Sequence, residues 1–491
     1  MQMPSGGVQR VLVVTLVTGL LTVSTAVRAS QESYKIVPSD GGAENEFGFS
    51  VALDQGLLVV GARHDDDNGP ESGSAYVYDA LSGALVFKLT ASDGAAGDEF
   101  GFSVAIDGGH IAIGALRDNQ GGVTSGSVYL FDASTGAELA KLTPSDGADG
   151  DEFGHSVAIE GNLVAVGAKR DDDNGLDSGS AYLFSVSTGL QVDKLVPSDG
   201  AMNDNFGGAI AMDGGVVAIG AHADWDNGPL SGSAYLFDAS TGALLFKLLA
   251  DDGATNDFFG SSIDIDNGVV AVGAWSKSIV FDHSGAAYTF DASTGAQLAR
   301  LVPSDTGDQD NFGFAISIDG GVVAVGARQD NDNGFDAGSA YLFDAFSNTQ
   351  LDKLLASDGA ALDYFGSSIA SANGVVVVGS IGDQDLGNDT GSAYVFGTPS
   401  PDSFVRGDGN DDSVVNLADV IYALNYLFLS GPAVCADAID SNDDGIVNLA
   451  DAIHLINWLF VTGPGPVSPF PNCGPDGTQD PLTCSGYTSC P

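Results

Sequence analysis

From residue 47 onward the chain repeats one short alternation of apolar and polar stretches. Phe47 to Asp54 carries small residues between larger ones and ends at the tight turn Gln55-Gly56. Leu57 to Ala62 follows as a nearly unbroken apolar run, as expected of a strand buried on both faces. A polar loop, His64-Asp65-Asp66-Asp67-Asn68-Gly69, leads to Ser74–Tyr78 and, past Ser82-Gly83, to Leu85–Leu89. Four strands are therefore predicted for the unit. The unit returns every 53 residues: Phe47-Gly48 recurs at Phe100, Phe153, Phe206, Phe259, Phe312 and Phe365. A fixed period near about 40–50 residues marks a four-stranded propeller blade. Gly48, Ser50 and Ala52 suit the crowded inner edge, where strands from all blades converge.

Other positions keep the same beat. Gly61-Ala62 recurs through Gly379, an Asp recurs from Asp40 to Asp358, and a basic residue recurs at Lys35, Lys88, Lys141, Lys194, Lys247, Arg300 and Lys353. That basic residue reads as a structural ion pair with the Asp of the turn after it, or as a solvated outer face. The ends of the array differ. Tyr34–Val37 precedes the first Phe-Gly, whereas Ser392–Phe396 runs directly into Gly397-Thr398-Pro399 with no fourth strand. The N-terminal strand is thus expected to complete the seventh blade and close the ring.

Charge narrows the partners. With 16 basic and 66 acidic residues the net charge is −50, a field that repels nucleic acid and anionic membranes and attracts divalent cations. A hydrophobic content of 44% argues for a folded chain. Arg10 precedes an apolar run, Val11 to Val27, and Val27-Arg28-Ala29 offers a cleavage site, so residues 1–29 read as a signal peptide with no membrane span left after cleavage. Secretion or surface display follows. Cys435, Cys473, Cys484 and Cys490 then suggest two disulfides; Cys435–Cys473 and Cys484–Cys490 are the expected pairs among three connectivities.

Residues 33–397 resemble the FG-GAP repeats of integrin α-subunit propellers, with Phe47-Gly48 and Gly61-Ala62 as the naming elements. The resemblance implies an extracellular interaction platform. Integrin calcium loops lie between the first two strands, but here Asp54-Gln55-Gly56 and Asp107-Gly108-Gly109 are too short to wrap an ion. The later loops, such as Asp65-Asp66-Asp67-Asn68-Gly69 and Asp171-Asp172-Asp173-Asn174-Gly175, read as Asx turns, with half a calcium loop as the alternative. The fifth copy, Trp275-Ser276-Lys277, has lost this pattern. Trp225 and Trp275 on that rim read as incidental turn residues, with a contact patch for a protein or glycan as the alternative.

After a Pro/Ser linker, 398–404, the period ends. Asp408, Asn410, Asp412, Asn416 and Asp419 stand at positions 1, 3, 5, 9 and 12 of a calcium loop, and Asp440, Asn442, Asp444, Asn448 and Asp451 repeat the set. Each loop enters an amphipathic pattern: Leu417, Val420, Ile421, Leu424, Phe428 and Leu449, Ile453, Ile456, Phe460. This duplication resembles a type I dockerin, which implies bound Ca2+ and a cohesin-like protein partner. Ser413 replaces the usual Gly in the first loop, and Leu417-Ala418 and Leu449-Ala450 stand where dockerins contact their partner. The division is 30–397 all-β seven-bladed propeller, 405–466 small all-α dockerin-like domain and 467–491 Cys-containing tail.

No catalytic motif is legible. The six histidines share no metal spacing, and no Gly-x-Ser-x-Gly or HExxH occurs. A non-catalytic interaction protein is the leading expectation. A secreted carbohydrate-active enzyme, with carboxylates converging at the channel, is the alternative.

Overall fold

The computed structural model describes residues 32–119, 124–279, 281–397, 417–429, 436–441 and 447–461. Seven four-stranded antiparallel sheets form, six of them from consecutive strands. The strand boundaries of the first blade, Phe47–Asp54, Leu57–Ala62, Ser74–Asp79 and Leu85–Leu89, match the predicted units. The seventh sheet takes its outer strand from the other end of the chain. Glu32–Ile36 pairs antiparallel with Ser392–Phe396, so the ring closes as expected.

The apolar second strands are buried because blade stacks on blade. One core cluster joins Val59 and Val77 of the first blade to Ile111, Ile113 and Tyr129 of the second, and equivalent clusters follow around the ring. The cluster holding Ile36 and Val395 together with Phe47 and Tyr76 seals the last blade to the first.

The Phe-Gly pair has two separate jobs. Phe47 is fully buried and meets Tyr76 edge-on, with ring centroids 5.3 Å apart. Gly48 takes a φ of 87°, and a Cβ there would collide with the Ser392 carbonyl oxygen of the neighbouring blade. That backbone turn also shifts the strand register between Phe47 and Ser50. At the Gly-Ala pair, a Cβ on Gly61 would strike the Gly101 oxygen. That oxygen instead accepts the Ser50 hydroxyl at 2.8 Å, and Ser368 closes the ring by donating to the Gly48 oxygen at 2.7 Å. Both glycines therefore set the spacing between blades.

The C-terminal helices are α1 (Leu417–Leu429), α2 (Ala436–Ile439) and α3 (Leu449–Val461). Val420, Ala452 and Leu455 pack together, with Leu424 and Leu459 against them. This differs from the expected apolar face of the second helix. Leu449, Ile453 and Ile456 are exposed, and the buried stripe is Ala452–Leu455–Leu459, because α3 is apolar on two sides and α1 covers one. Among the described residues no helix is long and apolar enough to cross a membrane.

Candidate ligand-binding face and ion cages

The Asp-rich loops are Asx turns. Asp65 Oδ1 accepts the Asp67 N–H at 3.1 Å and Asp66 Oδ1 accepts the Glu71 N–H at 2.8 Å. Their outward oxygens surround a lysine. Lys88 Nζ lies 2.7 Å from Asp40, 3.2 Å from Asp65 and 2.7 Å from Asp67. It also sits 4.9 Å from the Tyr76 ring centroid, while the Tyr76 hydroxyl donates to Asp65 and Asp40. The same cage surrounds Lys194, Lys247, Lys353 and Lys35. The recurrent base thus reaches the Asp before its own blade, not the one after its strand. Burial opposes each charged lysine, but the carboxylate hydrogen bonds outweigh it and hold the pKa above its ordinary value. Asp358, Asp383 and Asp385 present oxygens within 4.8 Å of one another, as a cation site would. Lys35 Nζ lies 2.8, 2.6 and 2.7 Å from them. The ammonium fills the seat.

The fifth blade inverts this charge. Lys277 stands where the other blades bury an Asp, and its Nζ lies 2.8 Å from the equally buried Asp257. Arg300 turns to Asp252 at 2.7 Å. With Ile279 in place of an Asp, a cavity of about 410 Å³ opens between Asp252, Asn256, Lys277, His283 and Arg300.

At one mouth of the central channel the repeats stop being alike. The residue two after each Phe is Phe49, Phe102, His155, Gly208, Ser261, Phe314 and Ser367, and all seven line one cavity of about 250 Å³. The residue before each Phe (Glu46, Glu99, Glu152, Asn205, Phe258, Asn311, Tyr364) and the residue after each Gly-Ala or Gly-Ser (Arg63, Leu116, Lys169, His222, Trp275, Arg328, Ile381) vary as widely. These positions touch. Arg63 stacks on Phe49 at 4.0 Å and pairs with Glu46 at 2.7 Å. Arg117 pairs with Glu99, and Lys169 and Arg170 with Glu152. Phe49–Phe102 and Phe102–His155 are 4.9 and 5.0 Å apart, and Trp275 stacks on Phe258 at 5.3 Å. Burial, with the cations around it, holds the His155 pKa below its usual range. Trp225 lies away from this mouth's ring contacts and is 61% exposed. Comparing the seven copies column by column is the sequence signal that finds this face.

The other mouth is acidic. Asp54, Asp107, Glu160, Asp213, Asp266 and Asp319 end the inner strands. Several accept a neighbouring blade's turn N–H: Asp107 from Gly161 at 2.7 Å, Asp266 from Gly320 at 2.9 Å and Asp319 from Gly374 at 3.2 Å. Asp264 lies deeper and accepts the Ile318 N–H at 2.8 Å and the Ser317 hydroxyl at 3.1 Å. Burial pushes its pKa up to about 6.

Of the predicted calcium ligands, Asp408, Asn410, Asp412, Asn416, Asn442 and Asp444 lie outside the described residues, as do all four cysteines and the leader. Asp419, Asp440 and Asp451 are buried, at 1%, 0% and 0% exposure. Asn448 and Asp451 form a capping box on α3: Asn448 Oδ1 accepts the Ala450 N–H and Asp451 Oδ2 accepts the Asn448 N–H, both at 2.8 Å.

A closed ring of seven blades, with one uniform body and one varied mouth, defines a repeat-built β-propeller. The FG-GAP repeat family matches seven segments: 31–78, 85–131, 137–184, 190–237, 245–290, 296–343 and 348–396. The chain belongs to that family. No curated protein matches it.

Proposed function

We propose that this chain is a secreted or cell-surface, non-catalytic interaction protein: the propeller's varied mouth is its recognition platform, and the C-terminal module docks a protein in a calcium-dependent way. One observation carries the first part. The copies are alike at most blade-building positions, with the inverted cage of the fifth blade as an exception, and unlike around one mouth, where such variety suits ligand recognition.

For the docking module, the support is electrostatic. Residues 405–491 hold a single Lys or Arg, Arg406, and Asp419, Asp440 and Asp451 are buried there. Carboxylates and amides at this repeated spacing suit two hard cations. In this reading Asp408, Asn410, Asp412, Asn416 and Asp419 hold one Ca2+, and Asp440, Asn442, Asp444, Asn448 and Asp451 the other. Bound calcium neutralises the loops and ties each to its helix. Exposed Ile421, Leu449, Ile453 and Ile456 offer apolar area to a cohesin-like partner.

The test is an array of peptides and glycans probed with the full chain and with Phe49, Phe102 and Phe314 replaced by Ser. Binders should be lost in the variant while its circular dichroism is unchanged. Binders indifferent to the triple change would sink the platform reading. Asp264 favours the second reading, a secreted carbohydrate-active enzyme, since its raised pKa suits a general acid. Glycan hydrolysis abolished by Asp264→Asn would select it.

A further inference from the structure

The seventh blade puts the small Ser367 in the mouth between Phe314 of the sixth blade and Phe49 of the first, leaving a notch with a phenylalanine ring on each side; Gly208 and Ser261 leave a second gap, which has His155 rather than a phenylalanine on one flank. Each flanking ring carries a guanidinium: Arg328 Cζ lies 3.8 Å from the Phe314 centroid and Arg63 Cζ 4.0 Å from that of Phe49. The two arginines differ in one respect. Arg63 is neutralised by Glu46, whereas Arg328 has no carboxylate within ion-pair distance among the described residues, and its Nε is buried without a partner. Asp336 and Tyr364 are its electrostatic neighbours, and Asn311 and Gln329 bond each other.

In a chain of charge −50 this matters. Lys277 and the seven recurrent bases are held by acids of the cages. The other basic side chains of the propeller, Arg63, Arg117, Lys169, Arg170 and Arg328, all follow a Gly-Ala pair on this rim. Arg328 is the one left to meet an anion from outside.

Resting on the platform reading, we propose that the notch receives a peptide partner: Arg328, with the Tyr364 hydroxyl, binds a carboxylate, and the apolar side chain next to that carboxylate enters between Phe314 and Phe49. A peptide fits better than an acidic glycan. The facing rings are phenylalanines with no polar tip, and the hydroxyls of Ser50, Ser103, Ser156, Ser262 and Ser368 already donate to neighbouring backbone oxygens. Sugar hydroxyls would find few partners there, whereas an apolar side chain needs none.

The probe is N-acetyl-phenylalanyl-leucine as free acid and as amide, with trigalacturonate as the glycan arm, followed by saturation-transfer NMR on the full chain. The free acid should bind at least about tenfold tighter than the amide, since a charge-assisted pair is lost in the latter. R328Q should weaken the acid about tenfold and leave the amide unchanged; Y364F, which keeps the ring, should weaken the acid by less. Leu190→Ser, exposed on the opposite face, should change neither. Equal binding of acid and amide, no response to R328Q or Y364F, no dipeptide binding, or preference for trigalacturonate would each overturn the proposal. Array binders that still need the three phenylalanines but ignore R328Q would sink only the carboxylate assignment and leave the platform standing.

Discussion

Lys35 belongs to the first strand of the ring and Asp383 to its last blade, yet Lys35 Nζ lies 2.6 Å from the Asp383 carboxylate. The closing blade is therefore fastened twice, by the backbone ladder from Glu32 to Ile36 and by the same ion cage that other blades build from their own outer strand. Lys35→Met leaves three close carboxylates without their cation. A loss of about 3 kcal/mol is expected from breaking such a pair. It should exceed the loss from Lys88→Met, whose strand stays covalently tied to its blade. Urea unfolding of the two variants checks this; equal losses would mean the cage does not secure the closure.

The emptied cage should also change its ion preference. With Lys35 shortened to Ala, the oxygens of Asp358, Asp383 and Asp385, within 4.8 Å of one another, suit a hard divalent ion. K35A should show a calcium-dependent rise in the melting of the propeller that the unaltered chain lacks. Scanning calorimetry with calcium and with chelator decides it.

Lys277 and Asp257 form the most enclosed of the propeller's lysine pairs, with each side chain 6% exposed. Lys277→Met strands a buried carboxylate, and about 3–5 kcal/mol should be lost. A denaturation midpoint unchanged from the parent would contradict that assignment.

Stability should peak in mild acid. Burial raises Asp98 and Asp266, and pushes Asp54, Asp151, Asp204, Asp264, Asp310 and Asp363 up to about 6. With unfolded values near about 3.9, these groups bind protons in the fold first, so their charging cost is relieved as pH falls from about 6 to about 4. His155 and His222 work the other way: burial lowers both, His222 to about 4, so acid favours their unfolded, protonated forms. Eight carboxylates outnumber two imidazoles. Below about pH 4 the caged aspartates, whose pKa values their lysines depress, lose that stabilisation. Melting temperature should be higher at pH 5 than at pH 7.5 and fall again by pH 3.

Gly48→Ala should be far worse than Gly214→Ala. Both have positive φ, 87° and 58°, but a Cβ at Gly214 meets nothing within 4 Å. The turn glycine should cost about 1–2 kcal/mol, whereas the Gly48 variant must also push the first blade off the seventh. Comparative thermal melts test the difference.

Blade number, strand bounds and closure were legible because each rests on local pattern and a fixed period, from Phe47 through Ser392. The partner of Lys88 was not. Asp40 is close in sequence to Lys35, so proximity along the chain suggested the wrong pair; the antiparallel fold brings Asp40 beside the following blade's lysine instead. Arg328 carries no distinguishing signal in the sequence for a related reason. It looks like any surface arginine until the sheet places it on Phe314 and beyond ion-pair distance of any carboxylate among the described residues. The sequence does not choose the buried side of α3, because Leu449, Ile453 and Ile456 make as good a helical stripe as Ala452, Leu455 and Leu459. Only the position of α1 chooses between them.

The pairing of Glu32–Ile36 with Ser392–Phe396 also fixes a timetable. Of the ring's strands, the one made first finds its place last, after some 360 further residues have been made. At 5–20 residues per second that interval is roughly 20–70 s. Throughout it, the growing arc carries an uncovered face at its leading blade and a loose strand beside it. Until Glu32–Ile36 is seated, Ser392–Phe396 stays an open edge on which a strand of another chain can pair.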